Sequence, residues 1–398
     1  MEKKNCKIPF NKPSFSGREL DYIKESVLSG QISGDGQFTK KCHELLEKRF
    51  GAKRVLLTTS CTHALELASI LIDLKEGDEV IVPSYTFVST VNAFMLRGAK
   101  PIFVDIRPDT KNIDENLIEG KITKKTKAIF PVHYAGVACD MDRIMDIAKK
   151  YNLYVVEDAA QGVNAKYKGK YLGTIGTFGC YSFHETKNYI CGEGGALVIN
   201  DERFIERAEI VREKGTDRSK FFRGEVDKYT WVDVGSSYLP SDLLAAFLLA
   251  QLESIGEVFD SRKRIYKKYY NELKELDKEG LISLPIITDQ GDSNYHMFYI
   301  LLKDAYTRAD LIKWLRKFDI ASVFHYIPLH TSPMGHSLGY KAGDFPVTED
   351  ISNRLLRLPF YNSMTEGEQD YVIKHLKLFF SDSKNEIKSV SIERQFVT

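Results

Sequence analysis

Short runs of β-branched and other apolar residues alternate with amphipathic helical patterns through the first half of the chain. Apolar residues at helical spacing predict helices over 62–73, 88–97 and 141–151. The runs between and around them predict seven strands, over 54–58, 79–83, 101–105, 128–132, 153–157, 180–183 and 196–199. This alternation is typical of an α/β domain, so we expect a mainly parallel, seven-stranded sheet covered by helices.

The pattern changes after about residue 240. Helical periodicity continues over 242–276 and returns over 308–318 and 366–379, with one strand predicted over 296–302. We therefore expect a large domain over 1–245 and a smaller α+β domain over 246–380. The remaining residues, 381–398, are polar and aperiodic, which predicts a mobile tail.

Composition and charge narrow the class of protein. Of the 398 residues 43% are hydrophobic, and 56 Lys and Arg against 55 Asp and Glu give a net charge of +1. This balance gives no electrostatic reason to expect nucleic acid or a membrane as partner. The six cysteines lack CxxC spacing, and no apolar stretch is long enough for a membrane span. We expect a soluble, cytoplasmic protein without a thiolate metal site.

An aspartate stands at the carboxyl end of the strand predicted over 153–157, where ligands of open α/β sheets bind. Asp158 could face such a ligand there, or it could cap the helix that follows. Strand alternation turns the preceding Glu157 to the opposite side. Asp158 is therefore the better candidate for chemistry.

A lysine follows the strand predicted over 180–183. Lys187 lies among aromatic and small residues in the segment CYSFHETKN, residues 180–188. A desolvated lysine amine has a lowered pKa, which suits Schiff-base chemistry, whereas most loop lysines are plain surface residues. The combination with Asp158 favours the chemical role.

Hydroxyl residues open the helix predicted over 62–73. Residues 58–62 read TTSCT, so backbone N–H groups and hydroxyls could bind a phosphate there, or could only cap the helix. No Walker loop or GxGxxG accompanies them, which disfavours nucleoside triphosphates and a Rossmann oxidoreductase. A lysine, an acid and a phosphate site together are what pyridoxal 5′-phosphate (PLP) requires.

Three segments, in this order and spacing, resemble the DegT/DnrJ/EryC1/StrS family of sugar aminotransferases. They are VEDAAQ (156–161), YSFHETKN (181–188) and GEGGALVIND (192–201), and the similarity extends from residue 9 to about 375. The resemblance implies the fold type I architecture of PLP enzymes, with a large and a small domain. It also implies a homodimer that builds each active site from two subunits.

The resemblance implies roles for individual residues in binding PLP. Lys187 would hold the cofactor covalently, Asp158 would pair with its pyridine nitrogen, and Gln161 would lie near its ring hydroxyl. Phe87 would stack on the ring face. The phosphate would be held by Cys61, Thr62 and Ser182, and by Ser237 across the subunit boundary.

The family's substrates are nucleotide-linked keto sugars. Within the family we expect a dTDP-linked 4-keto-6-deoxy sugar as amino acceptor and L-glutamate as donor. Five residues are expected to contact the substrate: His184, Tyr229, His325, Tyr326 and His330. His184 could instead be held by local hydrogen bonds. The basic residues between 212 and 223 could bind the diphosphate or form a solvated face.

Other functions stay open from the sequence. Sugar dehydratases of the family have histidine at the lysine position, so Lys187 favours transamination. A 3-keto sugar, or a UDP- or GDP-linked one, would use the same lysine chemistry. A non-catalytic member that only binds a sugar nucleotide is disfavoured by the intact Lys187, Asp158 and Gln161. Pro328 interrupts the segment between His325 and His330, which argues against a metal site there.

Overall fold

The structure is a computed structural model that describes residues 7–395, and for 382–395 it describes the backbone alone. Within residues 7–395 the chain forms twelve strands and fourteen α-helices. The strands are β1 (Arg54–Thr58), β2 (Glu79–Pro83), β3 (Lys100–Val104), β4 (Thr126–Ile129), β5 (Tyr154–Asp158), β6 (Lys166–Tyr167), β7 (Lys170–Tyr171), β8 (Phe178–Ser182), β9 (Gly195–Ile199), β10 (Gly291–Asp292), β11 (Tyr299–Leu301) and β12 (Leu355–Arg357).

The helices surround these strands and fill the C-terminal part of the chain. They are α1 (Glu19–Leu28), α2 (Gln37–Phe50), α3 (Cys61–Leu71), α4 (Val88–Met95), α5 (Glu115–Ile118), α6 (Met141–Tyr151), α7 (Ile205–Arg212), α8 (Arg218–Phe222), α9 (Asp242–Glu253), α10 (Ile255–Lys278), α11 (Ala305–Lys317), α12 (Pro333–Ser337), α13 (Pro346–Arg354) and α14 (Glu366–Gln395). None of them is long and apolar enough to span a bilayer, within the part of the chain that is described.

The seven predicted strands form one sheet in the order β1-β9-β8-β5-β4-β2-β3. Strand β9 is antiparallel to both of its neighbours, and the remaining pairs are parallel. The predicted α/β class and the mainly parallel sheet are therefore confirmed. Because β1, β5 and β8 run in the same direction, their last residues Thr58, Asp158 and Ser182 lie at the same edge of the sheet.

Apolar side chains cover both faces of this sheet, and a further core lies in the C-terminal part. One cluster includes residues of α2, α6 and α9, and a second lies under α3 and α4. The C-terminal core gathers α10, α11, α14 and the small sheet of β11 and β12, and it includes Ile8 from the N-terminal arm. The predicted boundary at residue 245 falls inside α9, whose Leu248, Leu249 and Leu252 pack in the core of the large sheet beyond that boundary.

The structure gives a backbone conformation for most of the C-terminal segment 381–398, and its predicted mobility stays a prediction. Helix α14 continues through residue 381 and ends at Gln395, so the backbone of most of the predicted tail is helical. Residues 396–398 of that tail lie outside the described residues. The division into two domains stays a prediction.

Close packing at the sheet edge requires a glycine at the start of β9. A Cβ on Gly195 would lie 2.4 Å from the backbone nitrogen of Cys61, at the beginning of α3. We expect Gly195→Ala to lower the free energy of unfolding by about 1–3 kcal/mol, because one of the two backbones must move. Urea unfolding measures this change.

The matched control is Gly367→Ala in the first turn of α14, where no atom lies within 4 Å of an added Cβ. Alanine should be neutral or stabilising at that position, because it lowers the entropy of the unfolded chain and favours helix. Equal unfolding free energies for the two variants would show that the contact between β9 and α3 is not tight.

Candidate active site

A cavity of about 620 Å³ opens at the carboxyl edge of the large sheet. Side chains from both the large sheet and the C-terminal part of the chain line it. Ten of the residues predicted from the sequence are among them: Cys61, Thr62, Phe87, Asp158, Gln161, Ser182, His184, Lys187, His325 and Tyr326. The fold thus brings together residues that are distant in sequence.

Asp158 ends β5 and is buried in the cavity wall. Its Oδ2 accepts a hydrogen bond of 2.7 Å from the hydroxyl of Thr90, and its Oδ1 accepts one of 3.1 Å from the backbone N–H of Ala160. The Thr90 hydroxyl lies 2.8 Å from that of Thr86. These contacts fix the carboxylate in one orientation. The segment between β5 and β6 contains turns and no helix, so Asp158 does not cap a helix.

Glu157 points to the other side of the sheet, as strand alternation predicted. Its carboxylate accepts hydrogen bonds from the backbone N–H groups of Gly173, Ile175 and Gly176. Its Oε2 also lies 3.0 Å from Nε2 of the buried His133. All of these partners are structural, so Glu157 holds the loop before β8 and takes no part in the cavity.

Lys187 enters the cavity from the loop after β8. Burial lowers the pKa of its amine, while the nearby Cys61 and Asp158 act in the opposite direction. The positive charge of Arg357 lowers this pKa further. A larger fraction of the amine is therefore unprotonated near neutral pH than in an exposed lysine, as a nucleophile or a base requires.

The start of α3 forms a polar corner of the cavity. Ser60 caps the helix, its Oγ accepting a hydrogen bond of 3.1 Å from the N–H of His63. The N–H groups of Cys61 and Thr62 are in the first turn and have no acceptor within the helix. The hydroxyl of Thr62 donates a 2.8 Å hydrogen bond to that of Ser89. Such a helix start suits an anion.

Gln161 connects the large sheet to the segment that carries His325 and Tyr326. Its Oε1 accepts a 2.7 Å hydrogen bond from the N–H of Ala135, and its Nε2 donates a 3.0 Å one to the hydroxyl of Tyr326. The amide orientation is thereby fixed. Phe87, 56% exposed, lies on the cavity wall beside Tyr326, with 6.3 Å between the ring centroids.

The two predicted histidines of the cavity have different surroundings. His325 has its Nδ1 3.1 Å from the hydroxyl of Tyr134. Burial next to the positive charges of Arg357 and Lys187 lowers the pKa of His325 well below its usual value, so its ring is neutral. His184 lies 2.9 Å from the hydroxyl of Thr186 through Nδ1, which matches the alternative of local hydrogen bonding.

Three predicted site residues do not line the cavity of this chain. His330 is fully buried between Ser84, 2.7 Å from its Nδ1, and Glu349, 2.9 Å from its Nε2, so its role is structural. Tyr229 lies on the surface against Phe221. Ser237 forms a backbone bridge with Glu213, and its predicted contact belongs to a second subunit.

The basic cluster also lies away from the cavity. Each of its cations is within 3.3 Å of a carboxylate, and every pair has at least one partly exposed member. A diphosphate contact by this cluster stays a prediction. The pairs are Arg212 with Asp35, Lys214 and Arg218 with Glu213, Lys220 with Glu206, and Arg223 with Glu209.

The cavity includes residues that the sequence reasoning missed. Thr90 lies on α4 and positions Asp158 from across the sheet edge. His296 and Arg357 come from the C-terminal part and line the wall near Lys187. No local motif marks them, because they reach the cavity only through the packing of that part on the large sheet. The sequence offered one indication for Arg357, which is a charged residue directly after the apolar Leu355 and Leu356.

The arrangement fits PLP. Asp158 offers a fixed carboxylate to a ring nitrogen, Lys187 offers an amine whose pKa is lowered, and α3 offers its first-turn N–H groups to a phosphate. Seven mainly parallel strands with this site at their carboxyl edge define a fold type I PLP-dependent aminotransferase.

Comparison with known proteins identifies the group within this class. The family model of the DegT/DnrJ/EryC1/StrS aminotransferases matches residues 13–377, so the chain belongs to that family. GDP-perosamine synthase of Escherichia coli O157:H7 is 36% identical over 383 residues, covering 94% of this chain and 99% of its own.

Solved structures agree in fold. An aminotransferase from Psychrobacter cryohalolentis superposes with a TM-score of 0.88 at 26% identity, covering 94% of this chain and 99% of the other. NtdA from Bacillus subtilis, with bound pyridoxamine phosphate (PMP), gives a TM-score of 0.83 at 29% identity and covers 96% of this chain and 86% of its own. The protein is thus a sugar aminotransferase of the PLP-dependent class, and PLP is its cofactor.

Proposed function

We propose that the protein transfers the amino group of L-glutamate to a dTDP-linked 4-keto-6-deoxy sugar. The reaction converts dTDP-4-dehydro-6-deoxy-D-glucose into dTDP-4-amino-4,6-dideoxy-D-galactose and releases 2-oxoglutarate. The observation that carries the transamination is the presence of Lys187 and Asp158 in one cavity. The segments PSYTFVSTVNAF and REKGTDRSKFFRGEVDKYTW resemble dTDP-4-amino-4,6-dideoxygalactose transaminase, which supports the choice of sugar.

The roles of the chain's own groups follow from the geometry. When bound, PLP supplies an electron-withdrawing ring that stabilises negative charge on the donor's α-carbon. The Nζ of Lys187 removes the α-proton of glutamate and, in the second half-reaction, delivers a proton to C4 of the sugar. Asp158 keeps the ring nitrogen protonated through its fixed carboxylate. The first turn of α3 binds the phosphate and thereby sets the position of the ring.

A GDP-linked sugar is the second candidate substrate. It is supported by the 36% identity to a protein named GDP-perosamine synthase, which covers nearly the whole of both chains. Lys187 would perform the same chemistry on a dTDP-linked sugar, on a GDP-linked sugar and on a 3-keto sugar. The substrate is therefore decided by the contacts to the base and the sugar ring. We favour the dTDP-linked 4-keto sugar because of the segments quoted above.

We also propose that the protein works in the cytoplasm as a homodimer with shared active sites. Apolar side chains are exposed along residues 229–234, including Trp231 at 76% and Val234 at 58%. Exposed apolar side chains in one segment are typical of a protein interface. Ser237 follows this segment closely. If a second subunit packs on the segment, Ser237 of this chain could reach the cofactor phosphate site of that second subunit.

Amino transfer from glutamate to a small panel of nucleotide sugars tests the function. The PLP-loaded enzyme is incubated with L-glutamate and the 4-keto-6-deoxy and 3-keto-6-deoxy sugars linked to dTDP, and with the 4-keto sugar linked to GDP. We expect rapid amination of the dTDP-linked 4-keto sugar, with the galacto configuration of the product assigned by NMR. Faster consumption of the GDP-linked or the 3-keto compound would overturn the substrate assignment.

A further inference from the structure

A second cavity, of about 460 Å³, lies apart from the active site. It is lined by one face of helix α10, by residues 285–287 and by Tyr295. Among the described residues, none that lines it also lines the active-site cavity. Its volume is within the range of small-molecule sites in proteins. The proposed transamination uses no residue of this cavity.

Aromatic and apolar side chains form most of its wall. Tyr266 and Tyr270 lie one turn apart on α10, and their rings are stacked with an interplanar angle of 14°. Tyr295 packs against Tyr266, with 5.2 Å between the ring centroids. Tyr270 and Ile286 are still 36% and 48% exposed. A planar ring bound here would therefore remove from water apolar surface that the chain itself leaves open.

Two lysines line the same cavity. Lys267 and Lys274 are exposed side chains of α10, and neither forms an ion pair within residues 7–381. Their neighbour Lys268 differs, because it pairs with Asp370 at 2.6 Å. The Nζ of Lys274 lies 5.5 Å from the centroid of the Tyr270 ring, so positive charge stands beside the aromatic wall. Within the described part of the chain, no carboxylate lines the cavity to neutralise it.

These features together specify a ligand that has both a planar ring and negative charge. A neutral ring would leave the lysines unused, and a simple anion would leave the tyrosines unused. Nucleobases stack on tyrosine rings, and lysine ammonium groups bind phosphates. Asn271 adds an amide, with a donor and an acceptor for the edge of a base. We propose that this cavity is a second nucleotide site, which binds the base and the phosphates of a nucleoside diphosphate.

Two consecutive residues connect this second nucleotide site to the active site. Tyr295 lines the second cavity, and His296 lines the active-site cavity. Arg262 of α10 donates hydrogen bonds to the carbonyl oxygens of both. The Nδ1 of His296 lies 2.8 Å from Oδ1 of Asn188, which is the neighbour of Lys187. A nucleotide that displaces Tyr295 therefore acts on a hydrogen bond beside the reactive amine, and its binding regulates the enzyme.

Photochemical crosslinking tests where the nucleotide binds. The PLP-loaded enzyme is irradiated with an iodouracil analogue of dTDP, and the labelled peptides are identified by mass spectrometry. We expect label on Tyr266 or Tyr270, in addition to any label in the active-site cavity, and an excess of dTDP should prevent it. Label confined to the active-site cavity would overturn the proposal. So would inorganic diphosphate that competes as well as dTDP does, because the rings would then take no part.

Equilibrium dialysis against dTDP tests the role of the lysines. We expect the wild type to bind a further dTDP in each chain, with a Kd at least about tenfold lower than in the double variant Lys267→Gln/Lys274→Gln, which loses two charged contacts to phosphate. Lys268→Gln is the matched control and should bind as the wild type does, because its lysine pairs with Asp370 outside the cavity. Equal binding by all three proteins would contradict the proposal.

The half-reaction with glutamate tests the regulatory role, since it needs no nucleotide as substrate. We expect dTDP to slow this half-reaction in the wild type and in Lys268→Gln by about fivefold more than in Lys267→Gln/Lys274→Gln, as for a weak allosteric coupling. An effect exerted through the active site remains in the double variant, so the difference reports the second cavity. The same response in all three proteins would refute the regulation. None of these measurements uses a keto sugar, and they decide the proposal even if the proposed substrate is wrong.

Discussion

Lys187→Ala is expected to abolish amino transfer, with both half-reactions slowed by at least about 10³-fold, because one amine serves as the site of cofactor attachment and as the base. Burial and the charge of Arg357 lower the pKa of this amine, and none of the described side chains that line the cavity offers a second amine. Single-turnover absorbance measurements with glutamate give the rate of the first half-reaction.

A covalent label shows whether the loss is specific. Borohydride reduction of the PLP-loaded wild type, followed by mass spectrometry of peptides, should place the cofactor on Lys187, and the variant should carry none. Lys170→Ala, which removes an exposed lysine on β7, is the control and should keep full activity and labelling. Cofactor found on another lysine of the wild type, or an active Lys187→Ala, would remove the basis of the assignment.

Asp158→Asn is expected to slow both half-reactions by about 10²–10³-fold, as for the loss of one fixed electrostatic group in an active site. The substitution keeps the shape of the side chain. Its oxygen can still accept from the N–H of Ala160, and its amide can donate to the hydroxyl of Thr90. The fold should therefore survive, and the missing property is the negative charge beside the ring nitrogen.

The affinity for PLP and the unfolding midpoint test this explanation. The Kd for PLP should rise by about tenfold or more, since a charge-assisted hydrogen bond to the ring is lost. The midpoint of thermal unfolding without PLP should stay close to that of the wild type. Asp146→Asn, an exposed change on α6, serves as control. Wild-type rates in Asp158→Asn would mean that the ring nitrogen lies elsewhere.

The class of the fold could be predicted because it depends on local patterns. Strands of a parallel sheet are buried on both faces, so each appears in the sequence as a short apolar run between two helical patterns. The seven predicted strands therefore lie within a few residues of the observed ones. Asp158 and Lys187 could be found for a related reason: each follows a strand directly, and parallel strands place their ends at one edge. The family resemblance added the chemistry that these positions perform.

The surroundings of the site could not be predicted in the same way. His330 looked like a ligand of the substrate because it follows His325 and Tyr326 closely, yet the turn after Pro328 directs it to Ser84 and Glu349. The basic residues of 212–223 could be read as a diphosphate site or as a solvated face, and the structure pairs Arg212 with Asp35 and Arg223 with Glu209. Sequence distance does not indicate which partner a long side chain will meet.

The sequence by itself determined the seven strands of the large sheet and the positions of the acid and the lysine, because these depend on local periodicity and on residues at the ends of strands. The family followed from the resemblance of three segments. The tertiary structure alone decided that the Thr90 hydroxyl binds Asp158, that the Gln161 amide binds the Tyr326 hydroxyl, and that Arg357 lines the cavity. The reason is physical: burial and charge compensation depend on groups that are distant in sequence and meet only when the elements pack.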